Sequence, residues 1–261
     1  MLIGAQIRPC YLLCKVILLG CPLETLPKSG IRRFPEPLML LWTVPLFVVE
    51  KGEMRMRRSG VLMPVSSLPS RFGIGCFSRE AYDFVDFLAA SGQALWQILP
   101  LGPTGYGDSP YQSFSTFAGS PYYISLDALI EEGLLTEEEC LSVDFGNDTG
   151  KVAYEKIYNT RFQLLRRAFE RADLRADSEY KAFVGENEQW LKDYAMYMAI
   201  KDSLKGVSWI EWGEDIRLRK PKAMARYEKE FADDIAFYCY QQYLFSRQWR
   251  ALKDYANKKG I

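Results

Sequence analysis

The sequence predicts an α/β fold, a strand–helix–strand unit with parallel strands that runs into a long helical region. Three observations predict it. Two short apolar runs, residues 61–63 (VLM) and 95–99 (LWQIL), each stop at a proline, Pro64 and Pro100. An amphipathic stretch with helical spacing lies between them. Beyond residue 126 the apolar positions recur at helical spacing up to residue 259.

Taken in order, residues 61–63 form the first strand. Ser78 is placed to cap the next element, and Glu80 puts negative charge in its first turn. Ala81, Phe84, Val85 and Leu88 follow on one helical face, with Phe87 flanking, and Gly92 suits the stop. Residues 95–99 form the second strand. Strand, helix and strand within about forty residues make a right-handed crossover between parallel neighbours. After a loop, Thr136 and Glu139 make a capping box. Tyr154, Ile157, Tyr158, Phe162, Leu165, Ala168 and Phe169 form one apolar stripe; Trp190, Leu191, Tyr194, Ala195 and Met198 form another. Pro221 suits a first helical turn. Ile235, Tyr238, Cys239, Phe245, Trp249, Leu252 and Tyr255 mark a long helix, broken near residues 231–234 and ended by Gly260. The stripes read as core contacts.

Composition excludes several functions. Lysines and arginines balance aspartates and glutamates at 33 each, so no field favours nucleic acid or an anionic membrane. The chain has no histidine, which removes Ser-His-Asp triads and most zinc sites. Six cysteines show no CxxC spacing and read as free thiols of a reducing, cytoplasmic setting.

Residues 1–53 differ from the rest. They hold six of the thirteen prolines and four acids, Glu24, Glu36, Glu50 and Glu53, with no sustained period. Three readings compete. Sequence upstream of a true start at Met54 or Met56 is preferred. Next is a lipoprotein signal ending at Cys21, against which Lys15 interrupts the apolar run. Last is a membrane anchor at residues 38–49, broken by Pro45 and short of the ~20 residues a span needs. The segment is expected to be poorly ordered.

The loop after the second apolar run carries the densest chemistry. Residues 105–114 read GYGDSPYQSF. Gly102, Gly105 and Gly107 lack the Gly-Lys-Ser/Thr of a phosphate cradle, so their role is conformational. Tyr106 and Tyr111 offer flat faces with polar tips, suited to the C–H-rich sides of a sugar ring. Asp108, Ser109 and Gln112 supply donors and acceptors for hydroxyls. A tight turn with two packed tyrosines explains the same residues equally well.

Residues 59–75 (SGVLMPVSSLPSRFGIG), with PLGPTGYGDSPYQSFS and AGSPYYISL further on, resemble the N-terminal portion of amylomaltase, the disproportionating enzyme or 4-α-glucanotransferase. Looser support comes from Ser208-Trp209, Trp212 and the Arg217/Arg219/Lys220-Pro221 run. The resemblance covers about residues 60–261. It implies an incomplete (β/α)8 TIM barrel of the α-amylase superfamily, holding strands 1 and 2 at residues 54–126. A helical insertion subdomain would occupy 127–220, and 221–261 would lead to a missing third strand. It implies a substrate wall of Tyr106, Ser109 and Tyr111, with Asp108 and Gln112 beside them, facing maltooligosaccharides or α-1,4-glucans. It implies retention with two carboxylates, which are expected beyond Ile261, and no cofactor or metal. The expected partner is a missing C-terminal half, without which the chain would be an inactive or merely glucan-binding fragment.

Overall fold

The computed structural model describes residues 57–105, 107–146, 148 and 150–261. Residues 1–53, with Cys10, Cys14, Cys21 and all three readings of that segment, lie outside the described residues, and so does Tyr106.

Strand β1 (Gly60–Leu62) pairs in parallel with strand β2 (Leu95–Gln97), in the register Gly60 to Leu95, Val61 to Trp96 and Leu62 to Gln97. Helix α1 (Arg79–Ala90) makes the crossover, so the expected unit is present. β1 is displaced by one residue from its apolar run, and β2 is two residues shorter than its own. Met63 still donates its N–H to the Gln97 carbonyl (3.0 Å), but Pro64 has no N–H to offer and leads into a 3-10 turn, Val65–Ser67. Ile98 and Leu99 therefore have no ladder to join. The indole N–H of Trp96 closes the pair by donating to the Met63 carbonyl at 2.8 Å.

Helix α1 buries Ala81, Val85 and Leu88 on one face, while Phe84 stands edge-on to Trp96 at 5.1 Å. One detail differs from expectation. Ser78 occupies the N-cap, yet its hydroxyl donates to the Glu80 carboxylate instead of accepting a helix N–H. At the other end Gly92 and Gln93 donate back to the Ala89 and Leu88 carbonyls, which terminates the helix where Gly92 predicts.

The helical region comprises α2 (Leu126–Glu131), α3 (Glu137–Leu141), α4 (Tyr154–Arg171), α5 (Ser178–Glu186), α6 (Glu188–Ser203), α7 (Glu214–Arg217), α8 (Pro221–Glu230) and α9 (Ala232–Lys258). The capping box of α3 forms in both directions: Glu139 N–H to Thr136 Oγ1 at 3.2 Å, and Thr136 N–H to Glu139 Oε2 at 2.9 Å. Arg171 of α4 adds a two-pronged grip on the same carboxylate at 2.6 and 2.8 Å. Pro221 starts α8, and the chain breaks at Phe231 before α9, both as the sequence predicts.

Helix α9 is the spine. Its 27 residues span about 40 Å and pack against α1, α4, α5, α6 and α8. The apolar stripe on it predicts one buried face. Instead every residue from Phe237 to Leu244 is buried, because α4, α5, α6 and the chain after the loop cover its middle from several sides. The largest core draws Phe72, Ile74 and Ile124 together with α4, α6 and α9. A second core joins α1 and Phe77 to Leu252 near the end of α9. Tyr255 donates its hydroxyl to Asp86 at 2.7 Å and so ties the last turns of α9 to α1. Cys76, Cys140 and Cys239 are free and buried. Among the described residues no helix is long and apolar enough to cross a membrane.

The Arg171 grip, with the Thr136 N–H next, holds the Glu139 carboxyl down at about 2. A carboxyl depressed in the folded state stabilises the fold above its unfolded pKa, about 4.3. That contribution is lost as pH falls toward 2. Urea unfolding between pH 5 and pH 2.5 is expected to show a steeper stability loss in the unsubstituted chain than in Glu139→Gln, which has no such proton to take up.

Candidate functional site

The loop that follows β2 is a pinned hairpin. At its base the Ser120 N–H donates to the Leu101 carbonyl at 2.8 Å. Higher up, Thr104 and Ser113 face each other in an antiparallel bridge. The tip is a turn in which the Gln112 N–H donates to the Ser109 carbonyl (3.0 Å) and the Asp108 N–H to the Gly105 carbonyl (3.2 Å). Gly107 and Asp108 both carry positive φ, 94° and 52°. Glycine meets this demand freely, and aspartate is one of the few side chains that tolerate it.

The outgoing limb of the loop is fastened to α9. Gln242 accepts from the Gly119 N–H through Oε1 at 2.8 Å and donates to the Gly119 carbonyl through Nε2 at 3.0 Å. Six residues on, Gln248 repeats the arrangement with Ser125, at 2.7 and 3.4 Å. Each side-chain amide thus copies a strand's pairing and satisfies a buried backbone N–H and C=O that have left the sheet. Between the two, the buried Arg161 of α4 donates to the Ile124 carbonyl. Gly119 itself lies flat on Phe245; a Cβ there would meet the ring at 2.2 to 2.4 Å.

The sequence-selected residues separate into two groups. Tyr111 stands out from the loop with 73% of its surface open, which decides against a packed turn for that ring. Gln112 is exposed beside it, and Ser109 is half-buried in the turn. Asp108 points the other way. Its carboxylate accepts from the Thr104 hydroxyl at 3.3 Å and burial pushes its carboxyl up; Tyr122 and Tyr154 are raised by their own burial first and by the Asp108 charge next. It therefore shapes the turn from behind. Tyr106 lies outside the described residues.

Tyr111 lines a cleft of about 490 Å³ with Pro110, Ser113, Phe117, Phe245 and Trp249. Phe117 is as open as Tyr111, at 70%. None of the described residues lining the cleft is a carboxylate. Among the described residues no cluster of Cys, Asp and Glu could hold a metal ion. Sequence reasoning passed over Phe117 and took Phe245 and Trp249 for core alone; the signal available for Phe117 was its place in the same Tyr- and Ser-rich loop. A smaller cavity, about 190 Å³, lies away from the loop. Arg247 is held there on Glu132 and Tyr243 on Asp177, while the buried Tyr240 hydroxyl has no partner among the described residues.

Comparison with known proteins identifies the scaffold around this cleft. The model of glycoside hydrolase family 77, 4-alpha-glucanotransferase, matches residues 63–261. The chain belongs to this family. Among its family relatives, the 4-alpha-glucanotransferase of Clostridium butyricum is 45% identical over 199 residues, 76% of this chain and 41% of the relative. That of Streptococcus pneumoniae is 48% identical over 213 residues, 80% and 42%. A solved amylomaltase from Streptococcus agalactiae, in complex with acarbose, superposes with a TM-score of 0.74 at 40% identity, covering 78% of this chain and 42% of that one. The chain spans about two fifths of the length of these relatives.

Two substitutions test how the loop is held. Gln242→Leu leaves the Gly119 N–H and C=O buried without partners and is expected to cost about 2–4 kcal/mol of stability, measured by urea unfolding. Asp108→Asn is expected to keep the turn, while Asp108→Val, unsuited to positive φ, is expected to speed amide exchange at Gln112.

Proposed function

We propose that this chain forms the glucan-binding wall of a 4-α-glucanotransferase, an enzyme that moves α-1,4-glucan segments between maltooligosaccharides with retention. The observation that carries the proposal is the open Tyr111 ring on a pinned loop, beside a cleft walled by Phe117 and Trp249. Flat rings of this kind take the apolar faces of glucose, while Ser109 and Gln112 offer partners for hydroxyls. Two further points support it. The loop leaves the carboxyl end of a parallel strand, the end at which α/β enzymes build their sites. The similar amylomaltase was solved with acarbose.

On this reading β1, α1 and β2 are the first units of a (β/α)8 barrel. Residues 127–220 form an inserted helical subdomain, and α9 leads toward a third strand. Retention uses two carboxylates about 5–5.5 Å apart. One attacks the anomeric carbon and expels the leaving sugar's 4-oxygen, which takes a proton from the other. That second group then removes a proton from the 4-hydroxyl of an acceptor glucan as it displaces the enzyme. The described cleft offers no such pair, so the carboxylates come from sequence corresponding to the part of the relatives that this chain does not span. No cofactor enters these steps. Maltooligosaccharides are the ligand, and the remaining portion of the enzyme is the partner. The free, buried thiols of Cys76, Cys140 and Cys239 suit a reducing, cytoplasmic setting.

A second reading has an observation of its own. The cleft carries binding rings and no described carboxylate, which suits a glucan-binding piece without turnover.

The 261-residue chain, given maltotriose, is expected to bind without releasing glucose; sustained disproportionation by this chain alone would contradict the assignment of the carboxylates. Tyr111→Ala is expected to abolish measurable maltotriose binding with an unchanged melting temperature. Unaltered affinity in that variant would remove Tyr111 from the site.

A further inference from the structure

The smaller cavity, of about 190 Å³, shares no lining residue with the cleft of Tyr111. Helix α9 supplies its floor. Tyr240, Tyr243, Leu244 and Arg247 fall at positions i, i+3, i+4 and i+7, hence on one face. The walls are Glu132 and Leu134, just past α2, and the connection between α4 and α5. Each wall is tied in place. Arg247 holds the Glu132 carboxylate at 2.6 and 2.8 Å, Arg171 donates to the Leu134 carbonyl at 3.0 Å, and Tyr243 donates to Asp177 at 2.9 Å. The cavity therefore has its shape before any ligand arrives.

One polar group in it is left over. Tyr240 is 1% exposed, and its hydroxyl has no partner among the described residues. The ring is anchored in the core against Phe169, at 5.7 Å between centres. Its tip reaches the cavity: burial first and the Glu132 charge next push the hydroxyl up, Arg247 opposes them, and both of those charges belong to the cavity lining. The group stays a neutral phenol that can donate one hydrogen bond and accept others. Phenylalanine would fill the same space without a desolvated oxygen, so the hydroxyl destabilises the free fold.

The rest of the lining says what would meet that hydroxyl. Three carboxylates, Glu132, Asp173 and Asp177, stand with one guanidinium, Arg247, a balance that repels anions. Leu134, Ala172, Leu174 and Leu244 make the remaining lining apolar, and among the described residues no cluster of acids could hold a metal ion. A small ring with hydroxyls at its rim and C–H faces uses both parts. Its hydroxyls donate to the carboxylates and meet Tyr240, and its faces lie on the leucines. The volume is below the roughly 300–1,000 Å³ of sites for drug-sized ligands, so one ring fits and a chain does not.

We propose that this cavity binds a single neutral monosaccharide and that the Tyr240 hydroxyl is the group that recognises it. Naming glucose as that sugar rests on the glucan reading above, in which transfer from maltotriose releases it. The consequence is a product-responsive site on the helical region, apart from the cleft, whose occupancy stabilises the fold by mass action.

The test is a glucose titration of the 261-residue chain followed by NMR of isotope-labelled leucine methyls. Leu134, Leu174 and Leu244 report the cavity, and their signals are expected to shift and saturate. Tyr240→Phe is expected to weaken glucose about tenfold and to melt no lower than the unsubstituted chain. Ala172→Leu, which fills the cavity from its half-buried wall, is expected to lose the shifts and gives a second route should Tyr240→Phe disturb the core. Tyr111→Ala is expected to leave the shifts unchanged. No response of these methyls at tens of millimolar glucose overturns the proposal. So does equal glucose affinity in Tyr240→Phe, or occupancy by a diamine such as putrescine with none by glucose. The glucan reading is tested apart, by maltotriose binding that Tyr111→Ala abolishes. Its absence in a chain whose leucine methyls respond to glucose fails that reading and leaves the monosaccharide site standing.

Discussion

Two glutamines on one helix hold this structure in its working shape. Gln242 and Gln248 each reach from α9 to a backbone 123 residues earlier in the chain and replace a missing strand partner with a side-chain amide. The segment they hold, from Gly119 to Ser125, is mostly buried and belongs to no strand, so without them the N–H and C=O groups of Gly119 and Ser125 would be stranded. The fastened chain also helps to bury α9, whose middle is covered by α4, α5, α6 and this segment.

From this clamp the loop takes its form. The Leu101 to Ser120 hydrogen bond closes the base, the Thr104 to Ser113 bridge narrows the neck, and Asp108 braces the tip from behind. Each of these ties lies behind or below Tyr111 and Phe117. The backbone beneath the rings is thus already ordered, which lowers the ordering cost that binding would otherwise meet. Folding energy spent on buried polar pairs reappears as preorganisation of an exposed surface.

Much of this was legible in the sequence, for reasons that can be named. The strand–helix–strand unit showed because prolines end both apolar runs and Gly92 ends the helix, all local signals. The capping box at Thr136 and the break at Phe231 are local too. Composition marked the loop as a candidate sugar surface while leaving a packed turn open, and its family motif suggested the ligand class. What could not be read was long-range. Nothing near Gln242 marks it as the partner of Gly119, and a glutamine inside an apolar stripe looks like an interruption. Ser78 looked like a cap until Glu80 took its hydroxyl. Asp108 and Tyr111 sit three residues apart in one motif, yet the turn sends one inward and the other outward, and only the backbone φ values decide which. Phe117 was passed over because the ring it stacks on, Trp190, lies 73 positions further along the chain.

The central claim is that the clamped loop is a preformed glucan surface, and hydrogen–deuterium exchange with and without maltoheptaose tests it most directly. The account requires slow exchange at Gly119 and Ser125 in the free chain, and slowing of residues 104–117 when sugar is added. Fast exchange at Gly119 and Ser125 in the free chain, or sugar-induced protection that leaves residues 104–117 unchanged, would contradict it.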